Sequence, residues 1–468
     1  MKKQRKILAL VLSLLMLMAL FSACAGGGTP ATTPPATTPA TTTPTATAPP
    51  TTTPTTTVAP PTDTSASENG GADILNQLLA MPDKIPLGGL MPAHLDSRES
   101  VNKALPFKAK NDPITIGWCS ASQGMSFFTE MVRSAQEAAQ KYGYNFNFQV
   151  ADFDVNAQMT QIENYLTQNV DFLVVNAVDI DATASYYQEA VDKGIPVICV
   201  GPTGGQAEYP VITTVVSGSF EAGYVVGVYC ADKLYDQFKD TPLKWAALMS
   251  RAGDSDSESR SCGFISGYIY EFSKLAGTPY PNKWAAVLDG YNFWESVRDK
   301  GSGTFKNIID VVGWASAGST ESNTAQPFAA DLLTGHPDMN LFFCETATMQ
   351  PGVMAEIAQH GRTAGKDLYV ACGADGENWT LEAIKQGQVL ATGVNVPYYT
   401  GEGVVDLIHK IVDEGFDANN LPATSYTPTY CINVDNIDQY YTDPNALFAP
   451  MQPWDIQTID EYNASMAG

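Results

Sequence analysis

Basic residues, histidines and long apolar runs are all scarce in this chain. Lysine and arginine number 26 against 50 aspartates and glutamates, a formal charge of −24 over 468 residues. So acidic a surface repels nucleic-acid phosphates and anionic headgroups, which excludes polyanion binding as a principal role. The four histidines (His94, His336, His360 and His409) are scattered and form no H-E-x-x-H site, and neither G-x-S-x-G nor a Walker loop occurs. Eight cysteines include no close C-x-x-C pair. Apart from Cys24 they are Cys119, Cys199, Cys230, Cys262, Cys344, Cys372 and Cys431, an odd set. Several follow apolar runs, where Cys behaves as a small buried hydrophobe, so neither a zinc site nor a disulfide framework is expected. Asp254, Asp256 and Glu258 alternate as hard-cation ligands do, but lack the Gly and distal Glu of a calcium loop. No metal and no cofactor is expected. After residue 21 no run approaches the roughly 20 apolar residues of a membrane span.

What the chain does have begins with a targeting pattern. Lys2, Lys3, Arg5 and Lys6 precede an apolar run from Ile7 to Phe21, then Ser22-Ala23-Cys24. A basic n-region, a short h-region and small residues before the cut describe a secretory signal. Cys directly after Phe-Ser-Ala resembles the bacterial lipobox, which makes Cys24 the lipidation site and residues 1–24 the signal peptide. Residues 25–71 are almost wholly Thr, Pro, Ala, Ser and Gly and cannot bury a core, so they read as an extended tether. Residues 72–112 are transitional, with a short helical candidate at Ile74–Ala80.

From Ile114 onward apolar strands alternate with helical patterns. Strands are expected at 114–118, 145–150, 172–175, 196–200 and 211–216, with helices at 127–142, 157–168 and 181–194. The alternation restarts after a helix running to about Tyr235. Strands at 243–249, 308–312, 341–344, 368–372 and 389–394 then enclose helices at 260–274, 322–333, 352–359 and 379–386. The path of the aromatic-rich stretch 275–306 is not predictable. Alternation at these lengths gives β-α-β units and parallel sheets covered on both faces. The fold class is α/β, with two Rossmann-like sets whose strand ends face one another across a cleft.

One stretch, Asp254-Ser-Asp-Ser-Glu-Ser-Arg-Ser-Cys-Gly-Phe264, sits where a strand end becomes a helix start, the crevice in which open α/β sheets bind ligands. Asp256 and Arg260 are four apart and share a helix face, presenting an acceptor and a forked donor. The same residues also read as a solvated turn with Ser and Asp caps.

The order of local motifs carries a family resemblance. Ile114-Thr-Ile-Gly, Phe127-Phe128, Glu137 to Gly143 and Val191-Asp-Lys-Gly-Ile-Pro-Val-Ile198 come first. Arg260-Ser-Cys-Gly-Phe, Leu332 to Asp338, Gly373-Ala-Asp-Gly376 and Leu390 to Pro397 follow. In this order, residues 114 to about 433 resemble the type 1 periplasmic binding proteins for sugars, the solute receptors of ABC importers. The resemblance implies two lobes joined by three hinge crossovers, near Ser217, Asn395 and Tyr430. Lobe 1 would comprise 113–217 and 396–430, and lobe 2 would comprise 218–395 and 431–468 with the C-terminal tail. It implies ligand contacts by Phe127, with Phe128 beside it, and by Asp256, Arg260, Glu345 (in place of an Asn), Asp375 and Asn395. Each position has a plainer alternative: Phe127 and Phe128 as helix core, Glu345 as a helix cap, Asp375 as a turn former, Asn395 as a hinge brace. Departures lie at Met125 and Gly201-Pro202, where relatives carry polar residues. The family's second aromatic aligns near Thr320, with Trp314 as the neighbouring alternative.

The expected function is therefore binding without chemistry. A lipid-anchored, monomeric receptor at the outer face of the cytoplasmic membrane would deliver a sugar or polyol to ABC permease subunits. The same fold also serves as a chemotactic or signalling sensor. An exported carbohydrate-active enzyme using Asp256 with Glu345 is the remaining alternative.

Overall fold

The structure, a computed structural model, describes residues 70–90, 104–201 and 209–461. Cys24, the tether up to residue 69 and Pro202 lie outside the described residues. Helix α1 (Gly71–Leu79) and a 3-10 turn at Ile85–Leu87 come first. There follow β1 (Thr115–Ser120), α2 (Ser126–Tyr142), β2 (Asn145–Val150), α3 (Val155–Gln168), β3 (Phe172–Asn176), α4 (Ile180–Asp192), β4 (Val197–Val200) and β5 (Thr214–Ser217). The second run is α5 (Ser219–Phe238), β6 (Leu243–Met249), α6 (Ser255–Leu275), α7 (Lys283–Lys300), β7 (Gly303–Phe305), β8 (Ile309–Ser316), α8 (Ser322–Gly335), β9 (Leu341–Cys344), α9 (Gln350–Gln359), β10 (Tyr369–Cys372), α10 (Asn378–Lys385) and β11 (Ala391–Gly393). Helix α11 (Pro397–His409), β12 (Thr424–Thr427) and β13 (Cys431–Asn433) complete it.

One sheet, ordered β12-β5-β4-β3-β1-β2, is parallel throughout. The other, β13-β11-β10-β9-β6-β8-β7, is parallel at its centre with antiparallel strands at both edges. Among the described residues the chain passes between the sheets after Ser217, between Gly393 and Pro397, and between Thr427 and Cys431.

Strand pleating sorts the core. In β3, Phe172 and Val174 face one helix layer while Leu173 and Val175 face the other. In β6, Trp245, Ala247 and Met249 pack toward α5, α6 and α7, whereas Ala246 and Leu248 pack toward α8 and α9. Two-sided burial is why these strands read as unbroken apolar runs. No helix of the described residues is long and apolar enough to cross a membrane. All seven described cysteines are free thiols, six of them buried.

Helix α6 starts earlier than its apolar pattern indicates, at Ser255 rather than Arg260. Asp254 is the N-cap, accepting from the amides of Asp256 (3.1 Å) and Ser257 (3.0 Å). The unplaced stretch 275–306 holds α7. Its apolar face, Trp284, Val287, Tyr291 and Trp294, has helical spacing, with Asn282 as N-cap and Gly301 closing the C-terminus.

The segment 72–112 is not a neutral spacer. Leu75, Leu78, Leu87 and Leu90 are buried in the core of the second lobe. Near the other end, Asp171 accepts from the amides of Lys110 (2.6 Å), Asn111 (3.2 Å) and Thr115 (2.8 Å), while Phe107 packs on Phe172. The tail also departs from the expected division, because Ile456 packs with the first lobe and Trp454 packs against the cores of both. The Trp454 indole lies edge-on to Tyr399, 5.5 Å between centroids, over Gly403. An apolar residue goes to whatever surface completes its burial, and here that surface is α11.

Helices α5 and α6 meet backbone to backbone. A Cβ on Gly223 would lie 1.9 Å from the Arg260 carbonyl oxygen, and one on Gly227 2.1 Å from that of Phe264. Reciprocally, Gly263 and Gly267 leave room for the Phe220 and Tyr224 carbonyls, each 2.1 Å from an added Cβ. Beside this seam the buried Lys283 ammonium donates to both oxygens of Glu221 (2.9 and 2.8 Å).

Helix propensity alone would make Gly223→Ala stabilising by about 1 kcal/mol. The collision with Arg260 should reverse the sign, to a loss of about 1–3 kcal/mol. Urea denaturation of the two proteins checks this, and a higher midpoint for the variant would contradict the packing.

Candidate functional site

The two sheets face each other across a cavity of about 550 Å³, within the usual range for small-molecule sites. Phe127, Phe128, Asp256, Arg260, Glu345, Asp375 and Asn395 all line it. The seven come from five chain segments, brought together because each sits at a strand's carboxyl end or the helix start beyond it.

Arg260 lies at the centre of the polar floor. It is 5% exposed, and its Nη1 donates to Glu345 Oε1 at 2.5 Å while Nη2 lies 3.6 Å from Asp375 Oδ1. Glu345 Oε2 accepts from the Ser250 amide (3.1 Å). Asp375 accepts from Thr346 Oγ1 (2.7 Å) and Asn395 Nδ2 (3.3 Å). Asp256, half-buried, accepts from Ser219 Oγ at 2.9 Å across the first passage between lobes. Burial pushes the Asp256 carboxyl up, Arg260 opposes it, and Asp254 reinforces the rise. Glu345 is raised for the same first reason, against Arg260 and the Ser250 amide. Among the described residues Arg260 Nε has no hydrogen-bond partner.

The opposite wall includes Ser122, Ser126 and Asn176 but is built mainly of apolar side chains. Met125, Phe127, Phe128, Met131 and Phe153 line the cavity there. Phe127 and Phe128 meet edge to face, 5.8 Å between centroids, and Phe128 meets Phe153 at 6.0 Å. Asn176 also lines this wall, but its amide is committed to the Ala121 amide (3.1 Å) and the Val200 carbonyl (3.2 Å). Two contacts bridge the lobes at this side: Thr320 Oγ1 donates to Met125 Sδ (3.1 Å), and the Arg251 guanidinium lies 5.9 Å from the Phe153 ring centre. Of the two residues weighed for the second aromatic position, Thr320 lines the cavity. Trp314 instead donates to the Val297 carbonyl (3.3 Å) and packs against Trp294.

Sequence reasoning missed several lining groups. Ser250 and Thr346 flank recognised positions and were reachable as their strand-end neighbours. Gly88, Gly89 and Tyr426 carried no signal, because nothing local in their segments points to a cleft. Behind Asp375 sits Glu377, 1% exposed, accepting from Thr348 Oγ1 at 2.5 Å. Burial, with the Asp375 charge beside it, pushes Glu377 up to about 8.

A carboxyl raised on folding contributes stability that is full below its unfolded value, about 4.3, and lost as pH rises through about 8. Glu377→Gln keeps the acceptor for Thr348 and removes the titration. The variant should match the wild type at pH 5 and exceed it in denaturant midpoint at pH 9. Parallel pH dependences in the two proteins would show that Glu377 titrates normally.

Comparison with known proteins shows what this arrangement is similar to. Residues 116–415 match the periplasmic binding protein domain family. The ribose import binding protein of Bacillus subtilis is 25% identical over 303 residues, covering 63% of this chain and 82% of that protein. The arabinose ABC transporter binding component of Shewanella sp. ANA-3 superposes with a TM-score of 0.55 at 17% identity, covering 71% of this chain and 95% of its own. A galactofuranose binding protein gives 0.54 at 16%, covering 70% and 97%. At these identities the superpositions speak to the fold: two α/β lobes with parallel sheets.

Proposed function

The chain belongs to the periplasmic binding protein family, and from that premise we propose that it is the exported solute receptor of an ABC importer, binding a sugar or other polyol. The observation that supports this reading most directly is the two-sided cleft. Acceptor carboxylates and a forked guanidinium stand on one lobe, and an aromatic wall stands on the other. Polyol hydroxyls donate to Asp256, Glu345 and Asp375 and accept from Arg260 and Asn395, while C–H faces of the ring lie on Phe127 or Phe128. The named ligands of the matched proteins, ribose, arabinose and galactofuranose, are of this chemical kind.

The mechanism follows from the connectivity. Three short passages join the lobes, so they can open and close as bodies about those passages. A ligand held by both walls favours the closed arrangement, and the closed form docks on the permease subunits. Cys24, acylated after signal cleavage, would hold the monomeric receptor at the outer face of the cytoplasmic membrane through the 25–71 tether. No reaction on the ligand is required. The matched relatives are binding proteins, and Glu345, half of the pair a glycosidase would need, is ion-paired with Arg260.

A thermal-shift screen over pentoses, hexoses, inositols and disaccharides tests the proposal. At 100 times Kd the cognate ligand adds about 2.7 kcal/mol of stability and raises Tm. Asp256→Asn should remove most of that shift with little change in the unliganded Tm, since Asp256 is half-buried with Ser219 as its side-chain partner. A full shift in that variant would remove Asp256 from the site, and product formation from any sugar would favour the enzyme reading. Arg260→Ala is expected to behave differently from a surface contact. It strands buried Glu345 and should cost about 3–5 kcal/mol of stability even without ligand, read as a drop in denaturant midpoint.

A further inference from the structure

The cleft has a third wall, and it comes from outside the matched domain. Residues 71–90 precede residue 116, where the family match begins. Helix α1 is fastened to the second lobe by Leu75 and Leu78, and the turn beyond it by Leu87 and Leu90. Asp83 bolts the turn in place: its Oδ2 accepts from Arg298 Nη2 (2.7 Å), its backbone oxygen from Tyr291 Oη (2.9 Å), and its Oδ1 from the Ile85 amide (2.9 Å). Arg298 in turn donates to Glu258 (2.9 Å) in the first turn of α6, two residues from Asp256.

The turn ends against the first passage between lobes. The Gly88 carbonyl accepts from the Phe220 amide at 2.9 Å, satisfying a free donor at the start of α5. Gly89, at φ 72°, has no room for a side chain, since a Cβ would lie 2.3 Å from the Ser219 amide nitrogen and 3.0 Å from the Ser217 oxygen. A Cβ on Gly88 would meet the Ser255 carbonyl oxygen at 2.8 Å. Both glycines line the cavity together with Ser217, Ser255 and Asp256. The amide and carbonyl of Gly89 make no hydrogen bond within the described residues.

We propose that the Gly88–Gly89 turn is the back wall of the ligand cleft and a specificity-determining element. It limits how far a ligand extends toward the first passage, and it offers the Gly89 backbone to the hydroxyl that Asp256 receives. The wall selects a compact polyol whose hinge-side hydroxyl is unsubstituted, and rejects its O-alkylated derivatives at that position. This inference rests on the polyol reading of the site.

The test uses the full chain. Affinities for the sugar or cyclitol that binds best, and for its series of mono-O-methyl derivatives, are measured on the wild type, Gly89→Ala and Asp83→Ala. Gly89→Ala displaces the turn by crowding, whereas Asp83→Ala releases its anchor without touching a lining residue. Hydrogen exchange at the bonded amides of Leu87, Gly88 and Leu90 reports whether the turn has moved. Expected are exchange at least ten-fold faster in Asp83→Ala and a gain of ten-fold or more in the affinity of one O-methyl derivative relative to its parent. An unchanged derivative-to-parent ratio in both variants, with the amides released, overturns the wall and leaves the polyol reading standing. Failure of every sugar and cyclitol to bind the wild type overturns both.

Discussion

The contact on which the rest of the site depends is the meeting of α5 and α6 at backbone distance. Four glycines, two on each helix, let each helix's carbonyls occupy the space where the other's Cβ atoms would be. Helices in ordinary contact run 8–10 Å apart with side chains as spacers. Removing the spacers ties the register of α6 to α5, and α5 begins at the first passage between lobes. Asp256 and Arg260 therefore stand at a set distance from Ser219, the residue at which the chain enters the second lobe. These cavity-lining groups are placed by main chain, which cannot change rotamer.

The floor of the cleft is an exercise in sharing one positive charge. Arg260 is paired with Glu345, lies near Asp375 and opposes the burial of Asp256. Each carboxylate has an additional neutral donor: Ser250, Thr346 with Asn395, or Ser219. A floor richer in acceptors than in donors suits a ligand made of hydroxyl groups, which bring the missing protons. Across the gap, the first lobe spends its amide, Asn176, on holding β1 and β4 together and presents rings and thioethers instead.

Much of this was legible in the sequence because it is periodic. The strands are buried on both faces, so they appear as apolar runs, and the recognition residues follow such runs directly. The apolar run before them places Asp256 and Arg260 at a strand end, whereas Phe127, Glu345, Asp375 and Asn395 follow from the family resemblance. What escaped was set by tertiary context. The start of α6 is decided by the Asp254 cap, while the periodicity that indicates a helix begins only at Arg260. Helix α7 has the right spacing, but its dense aromatics and central Gly290 obscure it. The burial of Leu87 and Leu90, and the arrival of Ile456 on the opposite lobe, depend on surfaces distant in sequence. No local pattern could announce them.

Neither lobe is a contiguous stretch of sequence, and the strand order makes that consequential. The first sheet is completed at one edge by β12, some two hundred residues after its neighbour β5, and the second by β13 beside β11. The amino-terminal helix is built into the second lobe and Ile456 of the tail into the first, so each end of the described chain is sewn to the lobe that the adjoining sequence does not build. A ribosome therefore cannot finish either lobe before almost the whole chain has emerged. Partial products expose an open sheet edge, and folding is a late, collective event.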